Sequence, residues 1–315
     1  VLSRGRLVVA GAFLVMLVGF GAAFPYAAIA VALEAEFGAS RTAVSMVYAL
    51  CGFSAFTSSA LTGPLADRIG PRIVAIIGMM LVGFGLMTAA TARTLMEIYL
   101  CFGLVIGIGI GFAYVPALAA VQRWFVTWRG LASGLATAGI GFGTALVPAA
   151  TGAVAATTDW RVALLAAGAA AIPLGVAGAL LLSSSPESRG LLPDGLAATG
   201  DRPAPGAPLD GADFPAVLQE RGFWLLYAGT LLVSLPVALP FAHLAQTAQD
   251  AGLSATQALS LLGIVGIASI AGRCACGAVA DEIGRPLAFI ASCAAIALLM
   301  PVWAFARTEQ AFFGY

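Results

Sequence analysis

The sequence predicts an all-α membrane protein built from two parallel copies of one helical unit. Three observations predict it: an apolar composition, a series of apolar runs of membrane-spanning length, and an internal repeat. Of the 315 residues, 61% are hydrophobic and 10% charged, with a mean hydropathy of +0.99. A soluble domain does not bury that much apolar surface. The 15 basic residues are all Arg and are balanced by 15 acids, so net charge supplies no attraction for a nucleic acid.

A hydrocarbon core of roughly 30 Å needs about 20 apolar residues as helix, because backbone groups cannot go unpaired in lipid. Nine spans meet that length: 7–33, 43–66, 73–92, 95–121, 131–157, 162–182, 223–246, 255–280 and 287–306. The first has 27 residues (33 − 7 + 1), beyond the ~7–15-residue core of a signal peptide, and is expected to remain as a membrane helix. Pro25, Pro116, Pro148, Pro236 and Pro240 are expected to bend their spans. The glycines of spans four and five, including Gly103, Gly107 and Gly111, read as close helix packing. A phosphate loop is excluded, since no Lys-Ser/Thr follows them. All five cysteines (Cys51, Cys101, Cys274, Cys276, Cys293) fall in apolar runs and read as small packing residues. No metal or cofactor site is expected.

Arginine placement orients the chain. Arg4, Arg6, Arg68, Arg72, Arg123, Arg129, Arg189, Arg202, Arg221 and Arg285 fall on one side, against Arg41, Arg93, Arg161 and Arg307 on the other. The positive-inside rule then puts the N-terminus in the cytoplasm of a multi-pass inner (plasma) membrane protein. Residues 183–220, with six prolines among Gly, Ala and Asp, are expected to form a mobile cytoplasmic linker. A short surface helix is expected in "FPAVLQERGFW" at its end.

The repeat links "GPLADRIGPR" (63–72) to "GAVADEIGRP" (277–286) at an offset of 214 (277 − 63). Gly63/Gly277, Ala66/Ala280, Asp67/Asp281, Ile69/Ile283 and Gly70/Gly284 coincide, and the same offset pairs Gly38/Gly252, Ser40/Ser254 and Thr42/Thr256. Six spans separate the copies, so they share one orientation, as in transporters made of parallel six-helix halves. The expected organisation is an N-terminal six-helix half (1–182), a cytoplasmic linker (183–221) and a C-terminal half (222–315) holding spans seven to nine. Residue 315 corresponds to residue 101 (315 − 214), so the second half is expected to be incomplete and the chain a fragment.

The loop Gly63-x-x-x-Asp67-Arg68-x-Gly70-x-Arg72, with its second copy at Gly277, Asp281, Gly284 and Arg285, resembles the signature of the major facilitator superfamily. The resemblance implies the major facilitator fold and a gating role for these residues. In it, Asp281 approaches the start of span five near Arg129 and Gly130, and Asp67 approaches span eleven. A carboxylate there would face the positive N-terminus of a helix in the other half. A narrower resemblance runs through "GIGIGFAYVPALAAVQRWFVTWRGLASGLATAGIGFG" (107–143), "ALPFAHLAQTAQDAGLS" (238–254) and "GRCACGAVADEIGRP" (272–286). These stretches are similar to the monocarboxylate transporter and oxalate:formate antiporter group.

Arg273 is the arginine that falls within a span. It lies eight residues before Asp281 (281 − 273), ~12 Å along the helix from its cytoplasmic end. A guanidinium stays charged and offers a planar fork of donors matching a carboxylate. In the resembled group an arginine at this place binds the substrate carboxylate; the other reading is a snorkelling or structural arginine. His243, the one histidine, is either a titrating cavity residue or a hydrogen-bonded imidazole in a packed helix. Tyr26, Tyr48 and Tyr114 either line the cavity or belong to the core. Proton-coupled members of the group carry an Asp where this chain has Ser269, so anion exchange suits the chain as well as proton coupling. The expected partners are a small organic anion, a proton or counter-anion, and the bilayer, the protein being a monomer. One alternative keeps the fold with a drug or sugar as cargo. Another, a membrane-embedded enzyme or receptor, lacks the clustered carboxylates, histidines or soluble domain it would need.

Overall fold

A computed structural model of the chain describes residues 2–186, 191, 193, 214–250 and 252–304. Side chains at 235–243, His243 included, lie outside the described set, as does most of the linker. The described residues form helices α1 (Leu2–Gly21), α2 (Pro25–Phe37), α3 (Arg41–Ile69), α4 (Pro71–Ala89) and α5 (Leu95–Ile98). A π-helical segment, Tyr99–Ile106, leads into α6 (Gly107–Trp124), α7 (Arg129–Thr157) and α8 (Trp160–Leu181). They are followed by α9 (Phe214–Gln219), α10 (Arg221–Asp250), α11 (Ala255–Ile283) and α12 (Arg285–Ala304).

Among the described residues, seven helical stretches are long and apolar enough to cross a membrane. They match spans one to six and eight. The other two expected spans, 223–246 and 287–306, fall on α10 and α12, parts of which are not described. The expected short helix before span seven is α9.

Two spans differ from the expected single helix. Span one breaks into α1 and α2 at Ala22–Phe24, where the chain tightens through bonds from Ala23 N–H to Phe20 C=O and Phe24 N–H to Gly21 C=O. Pro25 has no N–H to continue α1, so it starts α2 instead. Span four passes through the π-helical turn, whose wider winding frees a carbonyl for an outside donor. Ser54 in α3 uses it, donating to Gly103 C=O at 2.6 Å, and the Tyr99 hydroxyl ties the same segment to Ala43 C=O at 2.7 Å.

The 214-residue offset holds in the folded backbone. Adding 214 to the bounds of α3 gives those of α11 (41 + 214 = 255; 69 + 214 = 283). Ser40 and Ser254 cap the two N-termini by the same hydrogen bond to the third helical residue. Gly70 and Gly284 end the helices at φ 88° and 89°, a region that favours glycine.

One buried cluster fills the interior of α1 to α8, from Val8 to Leu182, with Trp124, Phe102 and Met16 among its largest members. Large apolar side chains such as Phe53, Phe56 and Leu61 of α3 stand exposed among the described residues. Two arrangements fix the ends. On the side of the α2–α3 turn, Glu36 accepts from Trp160 Nε1 at 2.7 Å and from Arg161 at 2.7 Å, while Arg161 also donates to Ala92 C=O. On the opposite side Arg72 donates twice to Leu182 C=O, at 3.1 and 3.0 Å, and Arg123 pairs with Asp67 at 2.5 Å.

Candidate functional site

The α7–α11 seam brings the earlier and later parts of the chain together. Its contacts are backbone to backbone. A Cβ on Gly130 would fall on the Gly277 carbonyl, one on Gly134 on the Arg273 carbonyl, and one on Gly141 on the Gly266 carbonyl. Only glycine allows such approach, and lipid offers no hydrophobic drive that would substitute for it.

At one end of the seam Asp281 closes the N-terminus of α7. Its two carboxylate oxygens accept from Gly130 N–H and Leu131 N–H, both at 2.8 Å. Those amides are orphan donors of the helix start, where the dipole also favours negative charge. The first copy of the motif, expected to meet span eleven, makes these contacts among the described residues. Asp67 is mostly exposed and pairs with Arg123, Arg68 is exposed, and Arg72 holds the end of α8. Gly63 lies beside a small groove between α3 and α6, of about 110 Å³.

Arg273 sits two turns up α11 from Asp281. Its Nε donates to the Ser269 hydroxyl at 3.0 Å, one turn earlier on the same helix. That bond fixes the plane of the guanidinium and engages Nε, not the terminal amino groups. Among the described residues no carboxylate pairs with it. The Tyr114 phenol of α6 lies within electrostatic range of the Arg273 charge and stacks edge-on against Phe20, with centroids 5.2 Å apart. Arg273 also forms part of the wall of a cavity of about 320 Å³ among α6, α7, α11 and α12. Its polar lining comprises Arg273, Arg285, Gln122, Ser133, Thr137 and Ser292, with no acid.

The other sequence candidates separate. Tyr26 is buried, lies 3.4 Å from the Ser45 hydroxyl and stacks on Tyr48 at 5.6 Å between ring centroids. Phe24 flanks the same pair. The structure therefore places Tyr114 with Phe20 and Tyr26 with Tyr48 in two aromatic groups. His243 lies on α10, its side chain outside the described set. Sequence reasoning missed Gln122, Ser133, Thr137 and Ser292. Ser133 and Thr137 each lie three residues after a seam glycine, Gly130 and Gly134, which meet Gly277 and Arg273; that spacing becomes a signal only once the seam is known, and Gln122 and Ser292 carry none. Among the described residues no group of His, Cys, Asp and Glu could hold a metal ion.

Comparison with known proteins gives the same fold. The chain is 32% identical over 289 residues to "Monocarboxylate transporter 11" of Homo sapiens, covering 90% of this chain and 58% of that protein. It is 32% identical over 185 residues to "Monocarboxylate transporter 1" of Mus musculus, covering 58% of this chain and 37% of that protein. The chain thus spans less than two thirds of the length of these relatives. Among solved structures, the major facilitator proton:xylose symporter XylE bound to 6-bromo-6-deoxy-D-glucose superposes with a TM-score of 0.66 at 16% identity. That match covers 90% of this chain and 70% of the symporter and speaks to fold alone. The model of the Major Facilitator Superfamily matches residues 11–314. The matched segment includes all but the first residues of span one, the other spans, the α7–α11 seam and both copies of the charged turn, and so this multi-pass membrane chain belongs to the Major Facilitator Superfamily.

Proposed function

We propose that this protein is a secondary active transporter of small organic anions, mono- or dicarboxylates, working by alternating access. Arg273 anchors the substrate carboxylate. The observation that carries this reading is a fixed cation inside a membrane span, oriented by Ser269, without an acidic partner among the described residues, at the wall of a cavity whose lining holds no acid. A permanent charge in that place needs an anion, and a planar fork of donors matches a carboxylate. The likeness to proteins named monocarboxylate transporters supports the same cargo.

The gate is the seam just described. Asp281 on the amides of Gly130 and Leu131, with Gly277 against Gly130, closes one side. Gly63, Asp67, Arg68, Gly70, Arg72, Gly284 and Arg285 complete the two charged turns that hold and release the halves 1–182 and 222 onward. The protein is a monomer in the plasma membrane, its N-terminus and both charged turns cytoplasmic, and it exchanges anions or couples them to protons. His243, Tyr26 and Tyr48 are further candidates for the substrate path.

The test is uptake by the full-length protein in liposomes of labelled formate, lactate and oxalate beside labelled D-xylose and a cationic dye. The reading expects carboxylate uptake alone. Uptake of xylose or dye with no carboxylate moving would refute it.

A further inference from the structure

Span four changes its winding where it lies against α3. Its start is pinned by the Tyr99 hydroxyl on Ala43 C=O at 2.7 Å, and Ile98 and Phe102 are fully buried beside that bond. Further along, Gly107 and Gly111 seat against the Cys51 and Ala55 carbonyls of α3, and Thr62 donates to Gly111 C=O at 3.2 Å. Between the two attachments lies the π-helical segment Tyr99–Ile106. A π turn holds about one residue more than an α turn, and one residue is about 100° of helix rotation. The segment therefore sets the rotation with which α6 leaves the first attachment.

Ser54 holds that segment. It is buried, and its hydroxyl donates to Gly103 C=O at 2.6 Å. In a regular α-helix Gly103 C=O would take the Gly107 N–H. Here the Gly107 N–H donates to Leu104 C=O, and Ser54 meets the carbonyl that the altered winding releases. Tyr114 inherits the rotation. It lies seven residues after Gly107 (114 − 107), and at about 100° per residue it stands within about 20° of the glycine stripe. Its ring meets Phe20 edge-on, with centroids 5.2 Å apart, and it lies within electrostatic range of Arg273.

We propose that Ser54 is a positioning residue for the substrate: by holding Gly103 C=O it keeps the π turn, and the π turn sets the rotation of α6 that presents the Tyr114 hydroxyl to an anion bound at Arg273. Ser54 acts through Gly103 and not by contact with the substrate. Without its hydroxyl the segment relaxes towards α winding, α6 turns on its glycine seat, and Tyr114 moves away from the anion. The proposal rests on the carboxylate reading above and adds a second substrate contact, governed from α3.

The test is the concentration dependence of labelled lactate uptake by the full-length protein in liposomes, for native protein, Ser54→Ala, Tyr114→Phe and the double variant. Ser54→Ala should raise KM about threefold to tenfold with the maximal rate near native, the loss expected when one hydrogen bond to the substrate is misplaced. Tyr114→Phe should raise KM to a similar degree, and adding Ser54→Ala to it should change KM no further, because the two act through one contact. Ser58→Ala removes a hydroxyl from the same seam, where it faces Ile108 C=O at 3.5 Å, and should leave KM within about twofold of native. If Ser54→Ala does not fold, Tyr99→Phe frees the other attachment of the π segment and should show the same pattern. A native KM in Ser54→Ala or in Tyr114→Phe, additive effects in the double variant, or an equal rise in Ser58→Ala would overturn the proposal and leave Ser54 as a packing residue. Failure of the native protein to move lactate would instead remove the carboxylate reading, so the two failures are distinguishable.

Discussion

Ser269 and Arg273 form the smallest unit with a functional consequence. The serine hydroxyl one turn earlier accepts a hydrogen bond from Nε–H and sets the guanidinium plane. Ser269→Ala removes that orientation and keeps the charge, so the KM for carboxylate should rise about threefold to tenfold, as expected for one net hydrogen bond, with the maximal rate little changed. Steady-state uptake at several lactate concentrations checks it. Ser269→Asp should do something different in kind. The new carboxylate pairs with Arg273 and competes with substrate at neutral pH, and uptake should recover on acidification as the introduced acid takes up a proton. A flat pH profile for that variant would mean the side chains do not meet. Arg273 was legible in the sequence because a charge in an apolar run has few explanations. Ser133 was not, since a serine in a glycine-rich helix has no signature of its own until its neighbours across the seam are known.

Among the elements, α3 and span four show where pattern reading stops. Their packing rests on Ser54, Ser58 and Thr62 of α3, whose hydroxyls meet the carbonyls of Gly103, Ile108 and Gly111 at 2.6, 3.5 and 3.2 Å. Gly107 lies against the Cys51 carbonyl and the Ser54 hydroxyl. Gly107→Ala should therefore lower the melting temperature by several degrees, the effect of ~1–3 kcal/mol of overpacking. Thermal unfolding in detergent checks it. The four-residue glycine spacing correctly indicated close packing here. The π-helical turn at Tyr99–Ile106 was invisible, because it is set by a donor on another helix and not by the residues that wind it. The break at Ala22–Phe24 was only half visible: Pro25 signalled a bend, but a full restart of the helix depends on how α1 and α2 pack separately.

At the scale of the whole molecule, the 214-residue offset told most of the architecture in advance, since charged turns are rare in so apolar a chain and a repeated one stands out. Among the described residues Asp281 holds two amides of α7, whereas Asp67, for which span eleven is the expected partner, pairs with Arg123; Arg72 anchors α8. The Asp281 contact has a mechanical consequence. Asp281→Asn removes the charge from two charge-assisted hydrogen bonds, ~1–3 kcal/mol in total, and should shift the conformers about tenfold or more towards the one open at the α11–α12 face. Gly130→Ala should push the same way by forcing the Gly277 carbonyl away. Distances between spin labels on the α6–α7 and α11–α12 turns report that equilibrium; a native-like distribution in both variants would show that the seam is not a gate.

The central claim is that Arg273 holds the carboxylate being moved. Exchange of labelled lactate into liposomes preloaded with unlabelled lactate, compared for the native protein and Arg273→Gln at equal protein content, tests it most directly. The account predicts rapid exchange by the native protein and a fall of about thirtyfold or more in the variant, the loss of a charged partner worth ~2 kcal/mol. Exchange by Arg273→Gln at the native rate would contradict it and leave Arg273 as a packing residue of the α7–α11 seam.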